Sequence, residues 1–386
     1  MAESRKQILE TMSRMIAIPA ISPLSGGDGE SKRADYLEKV LRGWGLKARR
    51  FDYKDESGAK RSNLVVKHGN APKTIWILPH IDTVSEGDMS AWKSDPFKVK
   101  IKGDLIIGRG VEDNGHAVIA GMYALKSLLG KKLKYNFGLV LAADEETDSV
   151  YGVKKLLKEG IFRRGDMFIV PDWGHRDGAK IEIAEKGIIW LKVTVHGQQV
   201  HASDPHKGKN ALRIAAQFML DIDRYLHKKY AIVDRRFGPS YSTFEMTKNE
   251  KNVESINILP GKEVFYLDFR VLPNYRIDAI IRDINRIKRK YDAKIDIETV
   301  QRSDPAPPTS ERSEVVRMLA ASIKKEIKVS PQTMGIGGGT IAAPFRKAGY
   351  EVAVWSMQDN CAHQPNEFMR ISNIMKMIRV FARIFS

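Results

Sequence analysis

Apolar residues at positions 8, 9, 12, 15 and 16 recur at three- and four-residue intervals, which predicts an amphipathic helix that stops before Pro19. A Gly-rich turn at 25–29 leads to a second helical pattern through Tyr36, Leu37, Val40, Leu41 and Trp44. Short β-rich runs follow at 63–66, 75–78, 97–101 and 105–107, and helical periodicity returns over 116–129. Residues 137–142 and 167–170 are unbroken apolar runs, the pattern of strands buried on both faces, with a helix expected between them at 150–158. Strands alternating with helices predict an α/β fold around a mixed, largely parallel sheet.

The pattern changes near residue 185. Strand alternation over 187–195 is followed by a long amphipathic helix over 210–228, an alternating strand at 263–271, and a further helix and strand at 278–291 and 293–300. This β-α-β-β-α-β-like order describes a compact α+β, ferredoxin-like unit of ordinary domain size. It ends near the prolines Pro305, Pro307 and Pro308, after which helix and strand patterns resume. The expected organisation is a catalytic domain of residues 1–185 and 299–386 interrupted by an inserted lid and dimerisation domain of residues 186–298.

Charge adds an ambiguity. With 64 Lys and Arg against 47 Asp and Glu, the net charge is +17, while 42 % hydrophobic residues can fill a core, so the chain is neither disordered nor low in complexity. The basic clusters are short, such as Arg49-Arg50 and Lys131-Lys132, and no nucleic-acid-binding signature accompanies them. A single cysteine, Cys361, excludes an internal disulfide and fits a reducing, cytoplasmic setting. Neither a signal peptide nor a run of eighteen apolar residues is found, so no membrane partner is expected.

Chemistry-bearing residues cluster where buried-type strands end, the usual location of sites in α/β enzymes. His80-Ile-Asp82 follows the run 75–78, a spacing that lets a carboxylate orient an imidazole. Asp113 lies in Gly108-Arg-Gly110-Val-Glu-Asp113, ahead of a helix. Asp144-Glu145-Glu146 follows a wholly apolar strand, where three carboxylates are electrostatically costly unless cations share the site. Asp172 occupies the same position after the run 167–170, and His363 sits before the final helix. Taken alone, each is also an ordinary loop or capping residue. Together they form the N/O donor set suited to a pair of Zn²⁺ or similar ions.

In order and spacing these motifs resemble the metallopeptidase family that includes acetylornithine deacetylase, succinyl-diaminopimelate desuccinylase, carnosinase and aminoacylase. The inserted unit agrees, with Gly197-x-x-x-His201-Ala-Ser203-x-Pro205-x-x-Gly208-x-Asn210-Ala211, Asn257-Ile-Leu-Pro260 and Asp268-x-Arg270. The resemblance spans nearly the whole chain. It implies two divalent ions per chain, Zn²⁺ first with Co²⁺ or Mn²⁺ as alternatives: His80 and Asp172 on one, Glu146 and His363 on the other, and Asp113 bridging. It also implies Asp82 as support for His80, Glu145 as general base, and His201 as a donor to the tetrahedral oxyanion, often delivered by a partner's lid, hence a homodimer. Asn257, Arg270 and the loop Gly338-Gly339-Thr340 are implied as binders of a substrate carboxylate.

Two departures separate the chain from the deacetylase and desuccinylase branch: Asn114-Gly115-His116 stands where many relatives have a lysine, and Ile341 or Ala342 where an aspartate is common. Asp172, rather than Glu, is usual among dipeptidase and aminopeptidase members. The expected activity is therefore hydrolysis of a dipeptide or short peptide by a metal-activated water, with N-acyl-amino-acid deacylation as the alternative. A non-catalytic basic binding protein is a distant one, since no ligand or base is missing.

Overall fold

The computed structural model describes residues 2–386, with side chains from Arg5 onward. The chain divides into two compact units. The first comprises Met1–Ile183, Thr309–Thr333 and Thr340–Ser386, and the second Ala184–Pro308 and Met334–Gly339.

The first unit is organised by an eight-stranded sheet with the order Arg49–Lys54, Lys60–His68, Asn136–Leu141, Thr74–Ile77, Met167–Val170, Glu351–Val354, Lys180–Glu185, Gln332–Ile336. Its four central strands, Asn136–Leu141 through Glu351–Val354, run parallel, and antiparallel pairs flank them. The unbroken apolar runs arise because both faces are covered. Ile75, Ile77, Phe137, Leu139, Met167 and Ile169 join one core, with helices Ala2–Ile16, Ser31–Gly43, His116–Ser127, Glu314–Ile327 and Ile371–Ile384. The alternate positions Trp76, Leu78, Val140, Phe168 and Val170 join a second core with Phe162 and Phe345. A Cβ at Gly138 would lie 2.2 Å from the Trp76 ring, so only glycine admits that indole. The mixed, largely parallel sheet flanked by helices is as expected.

Local boundaries differ from the sequence pattern in three places. The strand expected at 97–101 is only Lys100–Lys102, because the Asp95 carboxylate accepts the Phe97 N–H and holds a turn there. The helix expected at 150–158 shortens to Val153–Leu156 followed by a 3-10 turn. The edge strand Gln332–Ile336 was not signalled by any periodicity.

The second unit is a four-stranded antiparallel sheet, ordered Thr243–Asn249, Lys262–Val271, Gly187–His196, Ile295–Ser303, with helices Ala211–Lys229 and Ile277–Lys288. Strict alternation buries Ile189, Leu191, Val193 and Val195 against Phe218, Ile222, Ile280 and Ile284, leaving the other face half-exposed. This is the β-α-β-β-α-β order of a ferredoxin-like unit. The boundary expected at residue 298 falls inside the strand Ile295–Ser303, so the unit runs on to Pro308, and the segment Met334–Gly339 also belongs to it. Among the described residues no helix is long and apolar enough to cross a membrane.

Candidate metal centre

Seven of the residues singled out above converge within the first unit. His80 and Asp82 follow strand Thr74–Ile77, Glu145 and Glu146 follow Asn136–Leu141, and Asp172 follows Met167–Val170. Asp113 precedes helix His116–Ser127, and His363 lies in the loop beyond Glu351–Val354. Parallel strands point their carboxyl ends the same way, which is why sites distant in sequence meet at one edge of the sheet.

Asp113 is the hub. Its Oδ1 lies 2.9 Å from His80 Nε2 and its Oδ2 2.9 Å from His363 Nε2. His80 Nε2 is also 3.3 Å from Asp172 Oδ1, and His363 Nε2 is 3.2 Å from Glu146 Oε2. Donor atoms of His80, Glu145 and Asp172, and of His80, Asp113 and Glu146, each lie within 4.8 Å of one another. The donors thus form two poles: His80 and Asp172 at one, His363 and Glu146 at the other, with one Asp113 oxygen facing each.

Electrostatics follows from this crowding. Burial and the Asp172 carboxylate push Glu145 well above the usual carboxyl range, and burial with Asp113 raises Glu146. The Asp113 and Glu146 carboxylates raise His363 to about 10. Burial opposes a charged His80, yet Asp113, Asp172 and Asp82 together lift its imidazole well above its ordinary value. A site that drives both histidines, and the carboxyls of Glu145 and Glu146, to hold protons is short of positive charge. Glu146 Oε1 is buried with no hydrogen-bond partner. Divalent cations satisfy both deficits, and the imidazole and carboxylate donors suit Zn²⁺ or a similar ion.

Supporting contacts hold the donors in place. Asp82 is fully buried; its Oδ1 accepts the Glu145 N–H and its Oδ2 the Glu146 N–H, both at 3.1 Å, while His80 Nδ1 lies 3.4 Å from Oδ1. It therefore fixes two further site residues besides His80. Asn114 Nδ2 donates to Asp172 Oδ1 and to the Pro171 carbonyl, both at 3.0 Å, and thereby ties Asp172 to the Asp113 loop. Asp144 adopts a left-handed conformation with φ 66°, paired with buried Arg61 at 2.9 Å, and turns the chain so that Glu145 and Glu146 face inward. His363 is also left-handed, at φ 65°.

Sequence reasoning assigned no role to Glu112 and Glu367. Both are completely buried beside the centre, and their carboxylates grip backbone N–H groups of the Asp113 and His363 loops. A carboxylate adjoining each ligand, Glu112 before Asp113 and Glu367 four residues after His363, was the only signal available.

The remaining residues belong elsewhere. His201 and Asn257 meet in the second unit, where strand Val200–His201 pairs with Ile258–Leu259. The Ser203 backbone N–H donates to His201 Nδ1 at 3.2 Å, which leaves Nε2, 3.3 Å from Asn257 Nδ2, as the protonated nitrogen of the neutral ring. The Asn257 amide must then turn its oxygen to this N–H. Arg270 does not present the free fork expected for a substrate carboxylate: Nε and Nη2 donate to Asp268 at 2.7 and 2.9 Å, and Nη1 to the Gly337 carbonyl at 3.1 Å. Asp268 wins because residues two apart on strand Lys262–Val271 share a face. A side chain at Gly338 would meet open space, and one at Gly339 only Ile188 at 4.0 Å, so packing does not demand glycine at either. Thr340 belongs to the first unit, and its hydroxyl accepts the Ala342 N–H at 3.1 Å.

Residues 76–386 match the family model described as Peptidase family M20/M25/M40. The chain belongs to this family. It is similar to an uncharacterized metallohydrolase of Methanocaldococcus jannaschii, 35 % identical over 98 % of both chains. It is also similar to the succinyl-diaminopimelate desuccinylase of Pelagibacter ubique, 25 % identical over 96 % of both. Among solved structures, an M20 family metallo-carboxypeptidase from Sulfolobus solfataricus shares the fold, with TM-score 0.76, 22 % identity and 98 % of each chain covered. As a member of family M20/M25/M40 the chain is a metal-dependent hydrolase, and its resemblance to that class is borne out.

Proposed function

We propose that the centre hydrolyses the amide bond of a dipeptide or short peptide. The observation that carries this reading is Asp113 set between His80 and His363, with Glu145 adjoining the donors. In the proposal His80 and Asp172 hold one divalent ion, Glu146 and His363 the other, and Asp113 bridges them. Such ions supply an acidified water and polarisation of the scissile carbonyl. Glu145 acts as the general base: its carboxylate takes a proton and returns it to the leaving amine nitrogen. Asp82 keeps Glu145 and Glu146 in register through their N–H groups, while His201 would exchange its Asn257 contact to offer Nε2–H to the oxyanion.

The substrate assignment rests on Asp172, the residue usual in dipeptidase and aminopeptidase members, and on the two departures from the desuccinylase branch. The relative from Pelagibacter ubique favours a second reading, removal of an N-acyl group from an amino acid. Hydrolysis of free dipeptides against N-acetyl and N-succinyl amino acids by zinc- or cobalt-loaded protein separates the two; cleavage of the acylated set alone overturns the peptidase assignment. Zinc is the proposed ion, and cobalt or manganese suits the same donors. Exposed Leu212 and Leu220 on helix Ala211–Lys229 support a homodimer formed through the inserted unit, which sedimentation tests directly. The single cysteine supports a cytoplasmic location.

A further inference from the structure

The Asp113 and His363 loops are locked by carboxylates that reach in opposite directions. Glu367 Oε1 accepts the N–H groups of Glu112 and Asp113 at 2.8 and 3.0 Å. Its Oε2 accepts the Gly110 N–H at 3.0 Å and Arg109 Nη1 at 2.7 Å. In return, Glu112 Oε1 accepts the Asp359 N–H and Oε2 the Cys361 N–H, both at 2.5 Å. Each loop therefore spends a buried carboxylate on the backbone of the other. Glu112, Glu367 and Arg109 are all at most 2 % exposed. A carboxylate is costly to bury, and here the N–H donors it receives are those flanking a metal-ligand candidate.

We infer that Glu112 and Glu367 are positioning residues that form a reciprocal clasp, fixing the separation between Asp113 and His363 and so the fit of the ion those residues share. The two carboxylates touch neither imidazole and act only through the backbone. Their effects differ in reach. Glu367 holds the loop of Asp113, which faces both poles, whereas Glu112 holds the residues leading to His363, which faces one. This inference rests on the two-ion reading proposed above.

Titration of metal-free protein with Co²⁺, followed by absorption and calorimetry, tests it. Wild type is expected to take two ions per chain. Glu367→Gln should weaken both ions by about 10–100-fold, the usual worth of residues that support ligands. Glu112→Gln should weaken one ion by that factor and leave the other within about threefold of wild type. The double variant should lose little beyond Glu367→Gln alone, because freeing the Asp113 loop, which faces both poles, already undoes the spacing that Glu112 serves from the other side. Wild-type affinity for both ions in either single variant overturns the clasp, and so does full additivity in the double variant.

Hydrogen exchange in the metal-free wild-type chain gives an arm that needs no variant. Amides of residues 110–113 and 359–361 should open together as one protected unit; independent opening overturns the inference. If wild type takes fewer than two ions, the two-ion reading fails while the exchange arm still decides the clasp.

Discussion

The two oxygens of Asp113 face different histidines, Oδ1 toward His80 Nε2 and Oδ2 toward His363 Nε2, each at 2.9 Å. A neutral amide in this place keeps the shape but loses one acceptor and the charge. Asp113→Asn should fold as wild type and bind metal more weakly than the roughly 100-fold loss typical of a supporting residue. Metal content after dialysis, beside an unchanged circular dichroism spectrum, checks this; retention of two ions removes Asp113 from the bridging role.

Glu145 calls for the opposite outcome. Because it adjoins the donors as a base, Glu145→Gln should keep both ions and lose about 10²–10⁴-fold in kcat. Activity within about tenfold of wild type, below the usual worth of a general base, would remove Glu145 from that role.

Crowded carboxylates make the metal-free chain fragile. Glu145, Glu146, Asp113 and Asp172 share one edge of the sheet, and ions that bind only the folded state add stability by mass action. Free ion at about a thousandfold excess over Kd adds about 4 kcal/mol, so chelation should lower Tm by several degrees and abolish hydrolysis until metal is restored. A Tm indifferent to chelator and to added metal is incompatible with the proposed centre.

Asp82 supports three groups at once. Asp82→Asn places an NH₂ against one of the backbone N–H donors of Glu145 or Glu146, leaving a buried donor unpaired at about 1–3 kcal/mol. The urea midpoint of the metal-free chain should fall accordingly. An unchanged midpoint would show that these N–H groups do not depend on Asp82.

His116, which neighbours the donors without being one of them, offers a test against pH. It is fully buried, its Nε2 lies 2.5 Å from Ser356 Oγ, and burial lowers its imidazole to about 4. The folded value is below the unfolded one, so the stability is present at neutral pH and is lost as pH falls: between about 6.5 and 4 the unfolded chain takes a proton that the native ring refuses. The loss accumulates to about 3 kcal/mol. Relative to wild type, His116→Gln should become progressively less destabilised across this window, measured by chemical denaturation; parallel pH profiles would refute the assignment.

Much of this arrangement was legible because strands buried on both faces leave continuous apolar runs, and polar residues just beyond them stand out. His80, Glu145, Glu146 and Asp172 were found in this way, each directly after a central strand. Asp113 and His363 carried weaker marks, an aspartate in a glycine-rich turn ahead of a helix and a histidine in the loop before the last helix, and the resemblance assigned their roles. Glu112 and Glu367 were missed because their partners are backbone N–H groups of distant loops, which no periodicity encodes. The engagement of Arg270 has a nearer cause that the pattern did not signal: Asp268, two positions away on the same strand face, takes the fork. The strand Gln332–Ile336 lacked alternation because it lies at a sheet edge with little burial to enforce it.

The first unit is assembled from stretches on both sides of the insertion, and His363 comes from the last of them. During synthesis at about 5–20 residues per second, His80, Asp113, Glu146 and Asp172 leave the ribosome, and the whole antiparallel insert follows, before His363 emerges. An ion arriving early meets one imidazole among carboxylates, a poorer offer than the finished set. Assembly of the candidate centre thereby waits for the stretch that follows the insertion, and a chain cut short before residue 363 can fold much of its sheet yet never bring His363 to Asp113.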